Sequence, residues 1–307
     1  MSDVDRYIHA GERENTQRSY RSALHHFEVE YGGFLPASPD TVCAYLAHYA
    51  GSLAVNTLLQ RLAALAHWHI DHGFSDPTKA PKVRKVLKGI RTLHPAQERQ
   101  ARPLQITQVQ QVVKWLDSAI DSTSCNGNLG ALRRHTRDKA LLLLGFWRGF
   151  RGDELTRLCI EFVNVSPDEG LTCFLPRTKG DRAAHGSTFH VPALKSLCPV
   201  DAYTAWVKLA ALTDGPVFRP IDRWGHIGEQ GLHINSLVPL LRNLFLAAGI
   251  DSPDEFSGHS LRRGFANWAT SNGWDLKTMM QYVGWRDVHS AMRYLDATDP
   301  FRDMRRS

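Results

Sequence analysis

Six side chains from residue 151 onward in this 307-residue chain carry complementary chemistry: Arg151, Lys179, His259, Arg262, Trp285 and Tyr294. Between them they offer a phenol that can attack, two guanidiniums, an ammonium, an imidazole and an indole N–H. That set suits metal-free displacement at a phosphodiester. As a nucleophile attacks phosphorus, negative charge grows on the non-bridging oxygens, and fixed donors aimed at them lower the barrier. Arginine fills that role well, because its planar fork donates two parallel hydrogen bonds and keeps its charge at any working pH. Histidine can exchange a proton near neutrality, and a lysine ammonium can protonate a departing alkoxide. A tyrosine that attacks phosphorus stores the bond energy in an ester that a free hydroxyl can reverse, so religation needs neither ATP nor metal.

Spacing supports the inventory. His259 and Arg262 stand three apart in Gly258-His259-Ser260-Leu261-Arg262-Arg263-Gly264, a helix start whose i and i+3 side chains share a face, so that one phosphate could touch both. Arg151 and Glu154 repeat the interval in Gly149-Phe150-Arg151-Gly152-Asp153-Glu154-Leu155, with Gly149 ending an apolar helix and another opening near Arg151. Glu154 is expected to support the site, holding its backbone or a neighbouring donor rather than doing chemistry. Taken singly, each residue has an ordinary reading: Tyr294 as packing, Trp285 as a core aromatic needing one partner, the arginines as salt-bridged surface groups, Lys179 as a turn lysine. Order and spacing together favour the chemical reading.

Four motifs carry a family resemblance: Gly-x-Arg-x-x-Glu-Leu at 149–155, Arg177-Thr178-Lys179-Gly180, the His259-x-x-Arg262 box, and the interval from Gly284-Trp285 to Tyr294. They resemble the tyrosine recombinases, or phage-type integrases, and within them the Cre-like members, since Trp285 stands where most integrases have a second histidine. The resemblance spans nearly the whole chain. It implies that Arg151 and Arg262 bind the scissile phosphate, that His259 exchanges a proton with the nucleophile, and that Trp285 donates its indole hydrogen to a phosphate oxygen. Lys179, at a β-hairpin tip, would protonate the leaving 5′ oxygen, and Tyr294 would form a 3′-phosphotyrosyl link.

The resemblance further implies a site-specific DNA recombinase or integrase working through a Holliday junction without metal or cofactor. Its partner would be double-stranded DNA with paired specific sites, held by a homotetramer assembled from monomers, with room for accessory DNA-bending proteins. A type IB topoisomerase or telomere-resolving strand transferase shares the phosphotyrosine chemistry. A non-catalytic DNA-binding regulator shares the fold, but would be expected to have lost Tyr294 or an arginine. After Tyr294 come only residues 295–307, with a break at Asp296-Ala297-Thr298-Asp299-Pro300, so docking of a tail helix on a neighbouring protomer is expected, if at all, in an altered form.

Bulk properties agree. A hydrophobic fraction of 43% can build real cores, while a net charge of +6 and a pI near 9.1 favour a polyanionic partner. Between Lys79 and Arg102 stand eight basic residues and one acidic residue, Glu98. Lys79, Lys82, Arg84, Lys85, Lys88 and Arg91 of that segment are candidate phosphate-tracking residues, against the plainer reading of a solvated face. Arg263 is a further candidate for the DNA backbone or an acidic neighbour. Five cysteines without regular spacing predict reduced thiols in a cytoplasmic protein; the resemblance implies nucleoid association and a prokaryotic, phage or mobile-element origin. No secretory signal or membrane span is expected. His67, His69 and His72 lack a completing cysteine or carboxylate and read as helix-surface residues, so no metal site is expected. No phosphate-cradling glycine-rich loop with a following lysine appears, which argues against nucleotide hydrolysis.

The elements that must position the six residues predict a fold that is mainly α with a small antiparallel β-sheet. A helical core-DNA-binding domain is expected over 1–95, a linker over 96–103 and an α+β catalytic domain over 104–307, which by the resemblance form a C-shaped DNA clamp. Helical periodicity marks 15–32 with Thr16 as cap, 39–49, 54–72 and 82–92. In the second domain it marks 107–121, 138–148, 152–159, 199–212, 234–248, 260–272, 276–283 and 287–295. Residues 122–130 read as a loose loop. Strand-like runs over 161–192 predict the sheet, with Lys179 between two strands.

Overall fold

The computed structural model describes residues 6, 7, 11, 14–95, 100–166, 168–178, 181 and 185–295. Lys179, residues 96–99 of the expected linker and the tail beyond Leu295 lie outside the described residues. The chain forms two compact units, residues 1–99 and 100–307.

The first unit is helical: α1 (Glu14–His25), continued by a wider turn over His26–Glu30, α2 (Pro39–Tyr49), α3 (Val55–Asp71) and α4 (Pro81–Leu93). Helix α1 is already running at Glu14, so Thr16 lies inside it and does not cap it. Ser38 Oγ caps α2 by accepting the Thr41 N–H at 3.1 Å, and Pro39 at the first position costs no hydrogen bond. Apolar residues at helical spacing (Phe27, Leu46, Leu58, Leu65, Val83, Ile90) meet in one core. His69 belongs to that core, contrary to its surface reading. It is 1% exposed, accepts the Ala37 N–H on Nε2 at 2.8 Å and donates from Nδ1 to the Leu65 carbonyl at 2.7 Å. Its place on the Leu58–Leu62–Leu65 stripe was the signal. Lys79, Lys82, Arg84, Lys85, Lys88 and Arg91 are all exposed, on and just before the face of α4 opposite Val83 and Ile90.

The second unit wraps helices around α6 (Leu129–Arg148), whose run from Ala140 to Phe146 is almost wholly buried. Helix α5 (Ile106–Cys125) lies before it. After it come α7 (Gly152–Thr156), strands β1 (Val163–Ser166), β2 (Gly170–Leu175) and β3 (Ser187–Pro192), then α8 (Pro199–Leu209), α9 (Ile234–Ala247), α10 (Ser260–Ser271), α11 (Leu276–Val283) and α12 (Val288–Met292). The sheet is antiparallel in the order β1-β2-β3, with Val165 opposite Leu171 and Cys173 opposite Phe189. Leu171, Cys173 and Leu175 alternate inward with Phe189 and Val191, as a half-buried sheet requires.

The expected loop at 122–130 is mostly helix: α5 runs to Cys125 and α6 starts at Leu129, nine residues before its expected start at 138. Two anchors explain the extension. Asn128 caps α6 by accepting the Ala131 N–H at 3.0 Å. Arg133, Arg134 and Arg137 then donate to the carbonyls of Gly225, Asp222 and Arg219 at 2.9, 2.8 and 3.1 Å. These three arginines are the tertiary ties of the extended first turns of α6.

Chain and helix touch directly at Gly264. Leu104 N–H donates to the Ser260 carbonyl at 3.1 Å, and a methyl group on Gly264 would stand 2.0 Å from the Leu104 carbonyl oxygen. Gly264→Ala is therefore expected to destabilise the protein by roughly 3 kcal/mol, the upper range for overpacking against atoms that cannot rotate away. Thermal unfolding of the variant checks this, and an unchanged midpoint would refute it.

Candidate active site

Two left-handed glycines set the site's backbone. Gly149 (φ 61°) ends α6 and Gly284 (φ 73°) ends α11, conformations that glycine adopts without a Cβ clash. The first reversal leads within three residues from Arg148 to Arg151, which stands at the N-terminal boundary of α7. The second delivers Trp285 directly after α11, its backbone N–H donating to the Met280 carbonyl at 2.9 Å.

Arg262, one turn into α10, fastens the two helix ends together. Its Nη1 donates to the Gly149 carbonyl at 2.7 Å and its Nη2 to the Val283 carbonyl at 3.2 Å. Carbonyls at helix C-termini lack intrahelical partners and carry the negative end of the dipole, so a guanidinium between two of them is well placed. Arg262 is fully buried, and its Nε has no hydrogen-bond partner. Burial, then the nearby Arg151 charge, pushes its pKa down to about 9, which still leaves it cationic at neutrality.

Glu154 links the two arginines. One carboxylate oxygen accepts from Arg151 Nη1 at 2.6 Å; the other accepts the Arg151 backbone N–H at 2.8 Å and lies 3.6 Å from Arg262 Nη1. The two guanidiniums thus converge on one carboxylate, and Glu154, itself 3% exposed, offsets part of their mutual repulsion.

Tyr294 lies just beyond α12, in a turn, although the helix was expected to run to 295. Its hydroxyl shares a hydrogen bond with His259 Nδ1 at 3.0 Å, its ring centroid is 5.3 Å from that of Trp285, and the Arg262 guanidinium lies 5.4 Å from it. Tyr294 is half-buried and His259 exposed, so the phenol is not enclosed in the apolar core. Tyr282 provides a contrast. Its hydroxyl donates to the Trp147 carbonyl at 2.9 Å, and burial raises its pKa to about 12.

Trp285 is 4% exposed and its indole Nε1 has no hydrogen-bond partner. A buried N–H left unpaired is unusual and invites a ligand. It lines a cavity of about 240 Å³ shared with Arg151, Glu154, Thr178, Ser187 and Arg286. Arg148 lines that cavity too, a residue the motif reading passed over although it stands three before Arg151.

Arg262, Arg151, Glu154, Trp285, His259 and Tyr294 are thus brought together by the contacts above. Arg263 is not part of the group and does not face outward for DNA. It is 5% exposed, and its Nη1 donates to Gln100 and, at 3.0 Å, to the Arg293 carbonyl. That bond holds the turn that carries Tyr294, a role that adjacency to Arg262 could not reveal. Among the described residues no three His, Cys, Asp or Glu side chains group as metal ligands, and no helix is long and apolar enough to cross a membrane.

Comparison with known proteins gives the same direction. Residues 128–300 match the model of the phage integrase family. The chain is 30% identical to an integrase/recombinase xerD homolog of Selenomonas ruminantium, over 97% of this chain and 86% of that protein. It is 25% identical to the recombinase cre of Escherichia phage P1, over 87% of this chain and 78% of that protein. The Tn1549 transposon integrase in complex with transposon right end DNA has a similar fold, with a TM-score of 0.61, 12% identity and coverage of 96% of this chain and 93% of that one.

Proposed function

Since the chain belongs to the phage integrase family, the tyrosine-type site-specific recombinases that cleave and rejoin DNA, we propose that Tyr294 is its nucleophile and that the residues around it form the phosphate site. One observation carries this reading: the Tyr294 hydroxyl lies 3.0 Å from His259 Nδ1 while its ring lies over the Arg262 guanidinium. A proton acceptor within hydrogen-bond reach and a fixed cation beside it are what an attacking phenol needs.

In this reaction Tyr294 Oη forms a bond to phosphorus as its proton passes to His259. The bond from phosphorus to the 5′ oxygen breaks, leaving a 3′-phosphotyrosyl ester. Arg151, the N–H groups of Arg262 not spent on carbonyls and the unpaired indole N–H of Trp285 hold the non-bridging oxygens. Lys179 gives its proton to the departing 5′ oxygen. Glu154 takes no part in proton transfer; it keeps the two arginines pointed at one place.

The domains serve as a clamp on DNA, residues 1–95 joined through 96–103 to 104–307. The exposed basic residues of α4 track the backbone, and of these Lys85, Lys88 and Arg91 make no ion pair among the described residues. Lys82 is partly occupied by Asp40, at 2.5 Å. Four protomers pair two specific sites and exchange strands through a Holliday junction, in a bacterial or phage setting.

The deciding experiment is covalent trapping. The protein, incubated with a library of duplexes carrying a nick near random positions, should yield a DNA adduct on a denaturing gel, and sequencing the adducts should return one preferred site. Absence of any adduct would remove the reading. On the recovered site, Lys179→Ala should cleave poorly, and a substrate with sulfur in place of the 5′ bridging oxygen should restore cleavage, since a thiolate leaves without a proton. If sulfur brings no rescue, Lys179 is not the acid.

A further inference from the structure

We propose that Arg148 is a further ligand of the reacting phosphate, a third guanidinium that meets its charge from the cavity beneath Arg151 and Trp285. The proposal rests on the phosphate site as read above.

Among the described residues four arginines of the second unit are buried, and three of them are engaged. Arg137 binds Asp138 and the Arg219 carbonyl, Arg262 the carbonyls of Gly149 and Val283, and Arg263 Gln100 and the Arg293 carbonyl. Arg148 is 4% exposed and makes no hydrogen bond or ion pair among the described residues; its Nε and Nη1 are enclosed without partners. Leaving an arginine charged, desolvated and unbonded is costly, and folded chains rarely keep one without a reason.

What surrounds Arg148 stabilises a cation but leaves its donors unfilled. Its guanidinium lies 4.5 Å from the Phe189 ring centroid, 4.6 Å from that of Tyr282 and 5.9 Å from that of Phe150. It is also the last residue of α6, at the negative end of the helix dipole. Ring faces and a dipole attract positive charge, yet neither accepts the in-plane N–H bonds of a guanidinium. Burial lowers its pKa, so a bound anion would restore what burial takes away.

The missing acceptor has a definite chemistry. Arg148 shares its cavity with Arg151, Arg286, Thr178, Ser187 and the unpaired Trp285 indole, and the single carboxylate there, Glu154, is committed to Arg151 and Arg262. Two enclosed side chains with unpaired N–H groups, Arg148 and Trp285, therefore border one space whose lining is net cationic. A tetrahedral phosphodiester fits it: anionic oxygens able to accept from Trp285 and Arg151 on one side and from Arg148 on the other. Arg148 would then bind a non-bridging oxygen, with no change in which bonds form or break.

The test compares two scissile linkages in the trapped site. Arg148→Gln keeps a polar side chain and removes the charge. On the ordinary phosphodiester its rate of adduct formation should fall by roughly 10- to 100-fold, at or below the usual loss for one oxyanion donor. On a duplex whose scissile phosphate carries a methyl group in place of one non-bridging oxygen, which develops one charge less, the variant should approach the parent protein's rate. A misfolded protein would not be rescued in this way. If glutamine is not tolerated by the fold, Arg148→Lys carries the same comparison, with a smaller deficit expected on the phosphodiester and none on the methylphosphonate. Equal deficits on both linkages, no deficit on either, or rescue only when the methyl sits on the adjacent phosphate would each overturn the proposal. Failure of the parent protein to form an adduct is a separate outcome, and defeats the phosphate site itself.

Discussion

Tyr294→Phe should bind the trapped site with an affinity within about twofold of the parent, as a surface-side change of this size allows, and form no covalent adduct at all. The variant keeps the ring that packs against Trp285 and over Arg262 and loses only the hydroxyl bonded to His259 at 3.0 Å. The other two tyrosines described in the second unit are not placed to take over. The Tyr282 hydroxyl is spent on the Trp147 carbonyl and Tyr203 is buried. Band shift on a native gel and adduct on a denaturing gel separate the two functions. An adduct from the phenylalanine protein would move the nucleophile elsewhere.

Arg262→Ala should damage fold and chemistry together. It leaves the Gly149 and Val283 carbonyls without their donor and empties the space under the Trp285 and Tyr294 rings. Removing one member of a buried charge group costs about 3–5 kcal/mol of stability. Losing one preorganised oxyanion donor slows cleavage by about 10²–10³-fold. Arg262→Lys separates the two losses, because an ammonium keeps the charge but cannot span both carbonyls and a phosphate oxygen. It should unfold closer to the parent temperature while cleaving as poorly as a donor-deficient enzyme. Parent-like cleavage by the lysine variant would mean that Arg262 only braces the helix ends.

Much of this was legible in the chain because chemistry and local geometry coincide at the motifs. Gly149 ends a helix where an apolar run ends, and Asp275 and Gly284 bound α11 at its expected limits, Asp275 capping it through the Thr278 N–H at 2.9 Å. The three strands were readable from alternation, since one face of the sheet lies on the core. What stayed hidden depends on distant partners. Residues 129–137 form helix because their arginines find carbonyls near residues 219–225, far away in sequence. Arg263 turns inward because Gln100 and the residue 293 carbonyl receive it. Tyr294 leaves the helix at that same carbonyl. Arg148 escaped notice for the opposite reason: its meaning lies in the partner it does not have.

The place where the second unit begins has a mechanical consequence. Arg102 is tied to residue 255 through its backbone N–H at 3.2 Å and its guanidinium at 3.2 Å, Leu104 is tied to Ser260, and its carbonyl rests against Gly264. A displacement of residues 102–104 is therefore not taken up locally. It is passed through these short contacts to residues 255–264, the stretch that carries His259 and Arg262, so the entry strand of the second unit and the start of α10 move as one piece.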